Sequence, residues 1–451
     1  MKTFLSILKI LFLSVLLAVN VVGFHYYFQP AKIENLKYIP TDSKFVFSIN
    51  LKSISGKLLN EFLFHSDDFE KQILTNEEKQ LVLENSTYGI DPFGWVSFFS
   101  FPFESRMING ISLNLESANA FINNVEKSSI DSWKVDDIII YKNEKSTIFL
   151  FDKVAVILLE PMEEELAVNI GIKYLQNQEN EFTSINKNDF FVSISKSIFE
   201  KSTFKNFFRL VPDFAEGLYL EGDFEKGLIS MNGFVKFKKG TIKDGILKFE
   251  VHKIEKEEML NPFLFHVEGE NISKIIQQYF TGLFSAEKDS TGLIKEILNG
   301  KYTNLTYSIK KFGISTNILS KQGLMPEYES RFDISNDQSH DLSNLSLNPS
   351  LINSAFQNPN KIVATVSGNT QVKNTFAYLY FHPKKFIQEA DINFIVKNFI
   401  DPLIVFKEII LNAEKFENNN MYFKGETTFF DKESHSLIQL RLLFKNLTSL
   451  I

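Results

Sequence analysis

Phe4 to Phe24 is an almost uninterrupted apolar run, broken by Ser6, Lys9, Ser14, Asn20 and Gly23. As a helix rising about 1.5 Å per residue, such a run is roughly 30 Å long, the thickness of a bilayer's hydrocarbon core. Nothing later in the sequence looks like it. The run therefore predicts a transmembrane signal anchor within residues 1–28. Lys2 and Lys9 precede or enter its first turns, so the positive-inside rule places the N-terminus in the cytoplasm and the rest outside. Lys9 can snorkel back to the headgroups. His25, Tyr26, Tyr27 and Phe28 follow as an aromatic belt. Val21-Val22-Gly23 is a poor cleavage site because large aromatic residues follow it, and an uncleaved anchor is preferred to a cleaved signal peptide. The expected location is the bacterial inner membrane, single-pass, with a periplasmic cell-envelope ectodomain.

The remainder, about 420 residues, is long enough for two or three domains. We expect a linker at 29–38, a first ectodomain at 39–240 and a second at 241–451, with Lys238-Lys239-Gly240 at the boundary. With 44% hydrophobic and 23% charged residues the chain is globular. A net charge of −7 leaves no electrostatic footprint for nucleic acid. With Cys 0 there is no disulfide, thiolate metal site, cysteine nucleophile or lipoprotein anchor. An exported chain of this kind must rely on its core, which Phe 47 against Trp 2 makes rich in phenylalanine. Codon bias accounts for this, since Lys, Asn, Ile and Phe are all abundant; an apolar groove for a lipid-like ligand is the alternative.

Ser48-Ile49-Asn50-Leu51-Lys52-Ser53 matches Ser112-Leu113-Asn114-Leu115-Glu116-Ser117. Each match ends a strand-like run, Phe45 to Leu51 and Ile111 to Leu115. Each precedes a helix-like stretch, Ile54 to Leu63 and Ala118 to Val125. Ser53 and Ser117 fall at the predicted N-caps. Looser copies at Phe190 to Phe208, Phe263 to Phe280 and Lys361 to Leu379 suggest a repeated strand-turn-helix unit. Hairpin-like pairs lie between the units. Ile138 to Tyr141, Thr147 to Phe151 and Val154 to Leu159 form one series, and Gly217 to Phe224 pairs with Leu228 to Phe237. At the C-terminus Met421 to Asp431 and Ser436 to Lys445 read as two strands joined by a turn at Lys432 to His435. These patterns predict an α+β fold of antiparallel sheets with helices packed on one face.

No chemistry-bearing motif stands out. The histidines at 25, 65, 252, 266, 340, 382 and 435 are scattered, with no H-E-x-x-H or H-x-x-x-H spacing. His266 and Glu268 share a strand face and are read as solvated. Glu163-Glu164-Glu165 suits a helix N-terminus. Asp333, Ser335, Asp337, Ser339 and Asp341 alternate along a polar stretch, Asp333 to Pro349, read as a surface loop. Gln338 and Asn344 stand where a calcium loop needs glycine and glutamate. Gly89-Ile90-Asp91-Pro92-Phe93-Gly94 is read as a helix stop and a turn. There is no G-x-S-x-G, P-loop or dinucleotide fingerprint. No catalytic, cofactor-binding or metal-ligating residue is assigned, and no cofactor is expected.

The stretch Ile39-Pro40-Thr41-Asp42 leading into Phe45-Val46-Phe47-Ser48-Ile49-Asn50 resembles the opening of a group of uncharacterised bacterial envelope proteins. In these an I/L-P-x-D turn enters a strand and an N-capped helix just after an anchor or signal. Gly425 to Leu440 is similar to their C-terminal segment. The resemblance covers a small part of the chain. It implies an envelope location and an α+β ectodomain, and supplies no functional residues. The expected function is that of a non-enzymatic, membrane-tethered envelope ectodomain that binds a partner or serves structurally. The alternative is a carrier of a lipid-like apolar ligand in a Phe-lined groove. A hydrolase ranks below both, because no nucleophile or metal constellation is visible.

Overall fold

The computed structural model describes residues 33–64, 89–91, 93–127, 129–175, 188–200, 215–239, 247–251, 263–268, 302–315, 325–336, 362–368, 376–388, 405–432, 435–436 and 439–440. Contacts divide the chain into two compact units. The first comprises Met1–Ser43 and Ser48–Asp189; the second comprises Lys44–Phe47 and Phe190–Ile451. The division falls at 189/190, well before Lys238-Lys239-Gly240.

In the first unit a 3-10 turn, Glu34–Tyr38, precedes β1 (Phe45–Asn50), whose residues 48–50 belong here, and α1 (Leu51–Phe64). There follow β2 (Trp95–Phe103), β3 (Arg106–Asn114), α2 (Ala118–Glu126), β4 (Asp131–Val135), β5 (Ile138–Lys142), β6 (Thr147–Phe151), β7 (Val154–Leu158) and α3 (Glu164–Ile170). The sheet runs β4-β5-β6-β7-β3-β2, antiparallel throughout.

Because side chains alternate along a strand, each strand sorts its residues onto two faces. Trp95, Phe99, Phe101, Phe149, Phe151 and Val156 are buried on one face. The 3-10 turn lies there, with Tyr38 stacked on Phe151 at 4.3 Å between centroids. Past α3, Gly171 sits so close to Phe149 and Ile138 that a Cβ would touch both. On the opposite face Phe121 and Val125 of α2 pack with Leu113, Tyr141, Ile148, Leu150 and Ala155.

The second unit contains β8 (Phe190–Ser195), α4 (Ser197–Glu200), β9 (Ala215–Glu225), β10 (Leu228–Phe237), β11 (Leu247–Lys248) and β12 (Phe263–Glu268). It continues with β13 (Tyr302–Ser315), β14 (Met325–Asn336), β15 (Ile362–Gly368), β16 (Phe376–Phe381), α5 (Pro383–Gln388), β17 (Phe406–Glu417) and β18 (Asn420–Phe429). The strands pair in the order β8-β9-β10-β18-β17-β16-β12-β13-β14-β15, and β11 also pairs with β17. Only β14–β15 is parallel among these pairs. The β17–β18 hairpin turns through Asn418 and Asn419 at φ 51° and 61°, the left-handed pair that a two-residue hairpin loop requires. Gly425 is a site of close strand approach: a Cβ there would run into Leu411 and the Ile410 carbonyl.

Several expectations are corrected. The fold is not α+β with helices on one face of each sheet; it is dominated by antiparallel sheet with few helices, and in the first unit helical segments lie on both faces. The repeat unit fails at Lys361 to Leu379, where residues 376–379 begin β16 instead of a helix. It also fails at its two closest copies, which do not share the serine N-cap. Ser117 caps α2, accepting from the Ala120 amide at 3.3 Å. Ser53 lies inside α1, and the acceptor for its amide is Asn50 Oδ1 at 3.2 Å. The cap moved because α1 follows β1 without a turn. Ser117→Ala is expected to lower stability by about 1 kcal/mol, read from urea unfolding. At the C-terminus Ser436, Gln439 and Leu440 are helical instead of strand, and β18 makes its hairpin with β17. Asp333 and Ser335 belong to β14 instead of a loop. Asp337, Ser339 and Asp341 lie outside the described residues.

The inner-membrane, single-pass localisation with a periplasmic ectodomain is withdrawn. No helix among the described residues is long and apolar enough to cross a membrane. Residues 4–24, on which the expected transmembrane helix falls, lie outside them.

Candidate interaction surface

The two faces of the first unit's sheet are covered to different extents. In β2, Trp95, Ser97, Phe99, Phe101 and Phe103 point to the buried side, which leaves Val96, Phe98, Ser100 and Pro102 opposite. Phe98 pairs with Ile111, Ile111 with Ile157, and Ile157 with Ile148, so these four form one row across β2, β3, β7 and β6. Ile148 lies under α2, while Ile111 and Ile157 are half-buried at the margin of its cluster. Phe98, at the end of the row, is 41% exposed.

The next row holds Ser100 and Asn109, hydrogen-bonded to each other, with the Leu159 amide donating to the Asn109 carbonyl at 2.9 Å. Leu159 is 55% exposed and Met107 38% exposed. Arg106, which pairs with Phe103 and so belongs to the other face, bonds to Glu160 at 3.1 Å. At the α2 end the Tyr141 phenol is held above its ordinary range by burial and then by Glu126, whose carboxylate accepts its O–H at 3.4 Å. An apolar row with a polar rim is the anatomy of a protein-binding surface.

Behind this sheet several buried polar groups bond to one another. Asn35 fastens the 3-10 turn to β3. Its side-chain amide donates to the Ser112 carbonyl at 3.1 Å, and its backbone amide donates to Asn114 Oδ1 at 3.2 Å. Asn114 Nδ2 returns a bond to Asn35 Oδ1 at 2.9 Å, and Ser112 donates to the Asn35 carbonyl at 2.9 Å. Ser48 and Ser97, both fully buried, share a bond of 2.7 Å. Fully buried Asp189 receives Ser53 Oγ at 2.5 Å and Lys57 Nζ at 2.7 Å. Through these two contacts Asp189 ties α1 down.

Among the described residues the histidines at 266, 382 and 435 keep separate partners. His266 stacks on Tyr378 at 5.4 Å, and His382 Nδ1 accepts from the Lys385 amide at 3.2 Å. His435 is buried and bridges to Lys226. His25, His65, His252 and His340 lie outside the described residues. No group of three or more potential metal ligands occurs among the described residues. Glu163 precedes α3 and pairs with Lys142 at 2.7 Å, with Glu164 and Glu165 in the first turn. Gly89, at φ 75°, and the Asp91 carboxylate, accepting from the Phe93 amide at 3.0 Å, form the turn expected at 89–94. The apolar row gave no motif because its residues are spread over several strands. Its one local sign is the consecutive Phe98-Phe99 of β2, which must place one ring on each face.

No protein-family model matches the chain, and no curated protein matches it. Among solved structures, crystal form III of TP0453 aligns with 51% of this chain and 85% of its own, at 11% identity and a TM-score of 0.31. Crystal form I aligns with 51% and 84%, at 9% identity and 0.29. Crystal form IV aligns with 51% and 95%, at 9% identity and 0.30. A likeness at this level carries no weight for fold or function.

Proposed function

We propose that the protein is a non-enzymatic binding protein whose first unit engages a protein partner through the Phe98–Ile111–Ile157 face. The observation that carries this reading is exposed Phe98, with exposed Met107 and Leu159 near it, on a sheet whose other face buries Trp95, Phe99, Phe101 and Phe149. The carrier reading, with an apolar ligand in a Phe-lined groove, finds less support. Phe101, Phe149, Phe191 and Phe429 are wholly inaccessible to solvent, whereas rings lining a ligand groove retain accessible surface.

The test is photocrosslinking in intact cells from a photoreactive residue at position 98 or 159, with position 134 on the exposed face of β4 as the control. One prominent protein adduct from 98 and 159 and none from 134 is expected. Phe98→Glu in a chain crosslinking from 159 should cut the adduct at least tenfold, since it places a charge in an apolar contact. Equal labelling from all three positions would overturn the proposal.

A further inference from the structure

We propose that His382 is an acid-sensitive latch on helix α5, closed while its imidazole is neutral and opened by protonation. His382 stands just before α5 (Pro383–Gln388), and its Nδ1 accepts the Lys385 amide at 3.2 Å. This is the N-cap arrangement with an imidazole lone pair in place of a side-chain oxygen. Only the neutral ring has that lone pair; once protonated, both ring nitrogens are donors and the acceptor is gone. The Lys385 amide then loses its cap, and a cation stands at the positive end of the helix.

The surroundings oppose the charged ring. Burial comes first in holding the His382 pKa below its ordinary value, followed by the Lys385 ammonium, with Lys407 adding to it. Glu408 and a hydrogen bond to the residue's own backbone pull the other way. Glu408 is shared, however: it accepts from Lys407 Nζ at 3.0 Å and from Thr428 Oγ1 at 3.2 Å. His382 also meets the edge of Phe430 at 6.3 Å, and Lys384 sits 5.0 Å over that same ring. Phe430 is already 45% exposed, so opening the turn would uncover more of it.

The sign follows from linkage. A histidine whose folded pKa is depressed binds its proton more readily in the open state. The latch is therefore fully present above about pH 6.5, the ordinary value, and weakens as pH falls below it. Hydrogen exchange of the full-length protein, corrected for intrinsic rates and resolved across 383–388, tests this at pH 7.5 and 5.0. Protection at Lys385 should fall about fivefold at the lower pH, the usual worth of one cap, while β9 and β10 stay unchanged. His382→Asn keeps a capping oxygen that does not titrate and should remove the pH dependence. His382→Ala should show low protection at both pH values. Equal protection of the unmodified chain at both pH values would overturn the latch. So would an unchanged pH dependence in His382→Asn, which would assign the effect to Glu408 or another carboxylate.

Discussion

A chain ending at Asn420 is expected to lose the cooperative folding of the second unit. β18 is an interior strand. Its residues pair with β10, from Leu228↔Thr428 to Lys236↔Asn420, and with β17, from Phe406↔Phe429 to Glu417↔Asn420. Removing it unpairs two strands at once and exposes two hydrogen-bonding edges to solvent or aggregation. It also removes Phe423, Thr427 and Phe429, which are 6%, 5% and 0% exposed. Each large apolar side chain lost from a core forfeits roughly 1.5–3 kcal/mol of burial, before counting the backbone pairs. The sum approaches or exceeds the 5–15 kcal/mol margin typical of a domain. Circular dichroism melting should show the loss of one transition or of a large part of the amplitude. A truncated chain that melts cooperatively at the full-length temperature would show β18 to be peripheral. The single change Phe429→Ala, costing about 3–5 kcal/mol, gives the same answer without removing chain.

That prediction marks the limit of what local pattern discloses. The hairpins β5–β6–β7 and β9–β10 are legible because alternating runs meet through short polar turns, and their registers are set nearby: Lys142 faces Thr147 and Leu228 faces Glu225. Met421 to Asp431 is equally legible as a strand. Its partners are not legible. One lies in β10, nearly half the chain earlier, and the alternation of β18 is satisfied by any strand of matching face. The α+β reading failed for the same reason: an apolar run of four to eight residues after a polar turn fits a strand or a short helix. Residues 376–379 resolved as strand because β12 and β17 were available on either side. The polar clasps are less visible still. Asn35 and Asn114 are 79 residues apart and Lys57 and Asp189 are 132 apart, so no spacing rule connects them. The exposed apolar row is legible only residue by residue, as Phe98 on an alternating strand, because exposure depends on how far α2 reaches.

Lys57→Met is expected to destabilise the first unit by about 3 kcal/mol, read from urea unfolding at neutral pH. The Lys57–Asp189 pair is unequal: Asp189 is fully buried, whereas the Lys57 side chain is 33% exposed. Lys57 is therefore partly solvated, and its own attraction to the carboxylate is moderated by water. The larger effect comes from stranding Asp189. A buried carboxylate that loses its cation keeps its desolvation cost without the compensating charge, a loss of about 3–5 kcal/mol. The lower end applies because Ser53 Oγ still donates to it at 2.5 Å. Methionine keeps an unbranched side chain of similar length, so the change chiefly removes the charge. Asp189→Asn in the Lys57→Met background should restore most of the loss, because the neutral amide can keep a bond to Ser53 without a counter-ion. Recovery of this kind in a double-mutant cycle assigns the effect to the charge. A single variant that loses less than about 1 kcal/mol would place the pair among ordinary surface ion pairs.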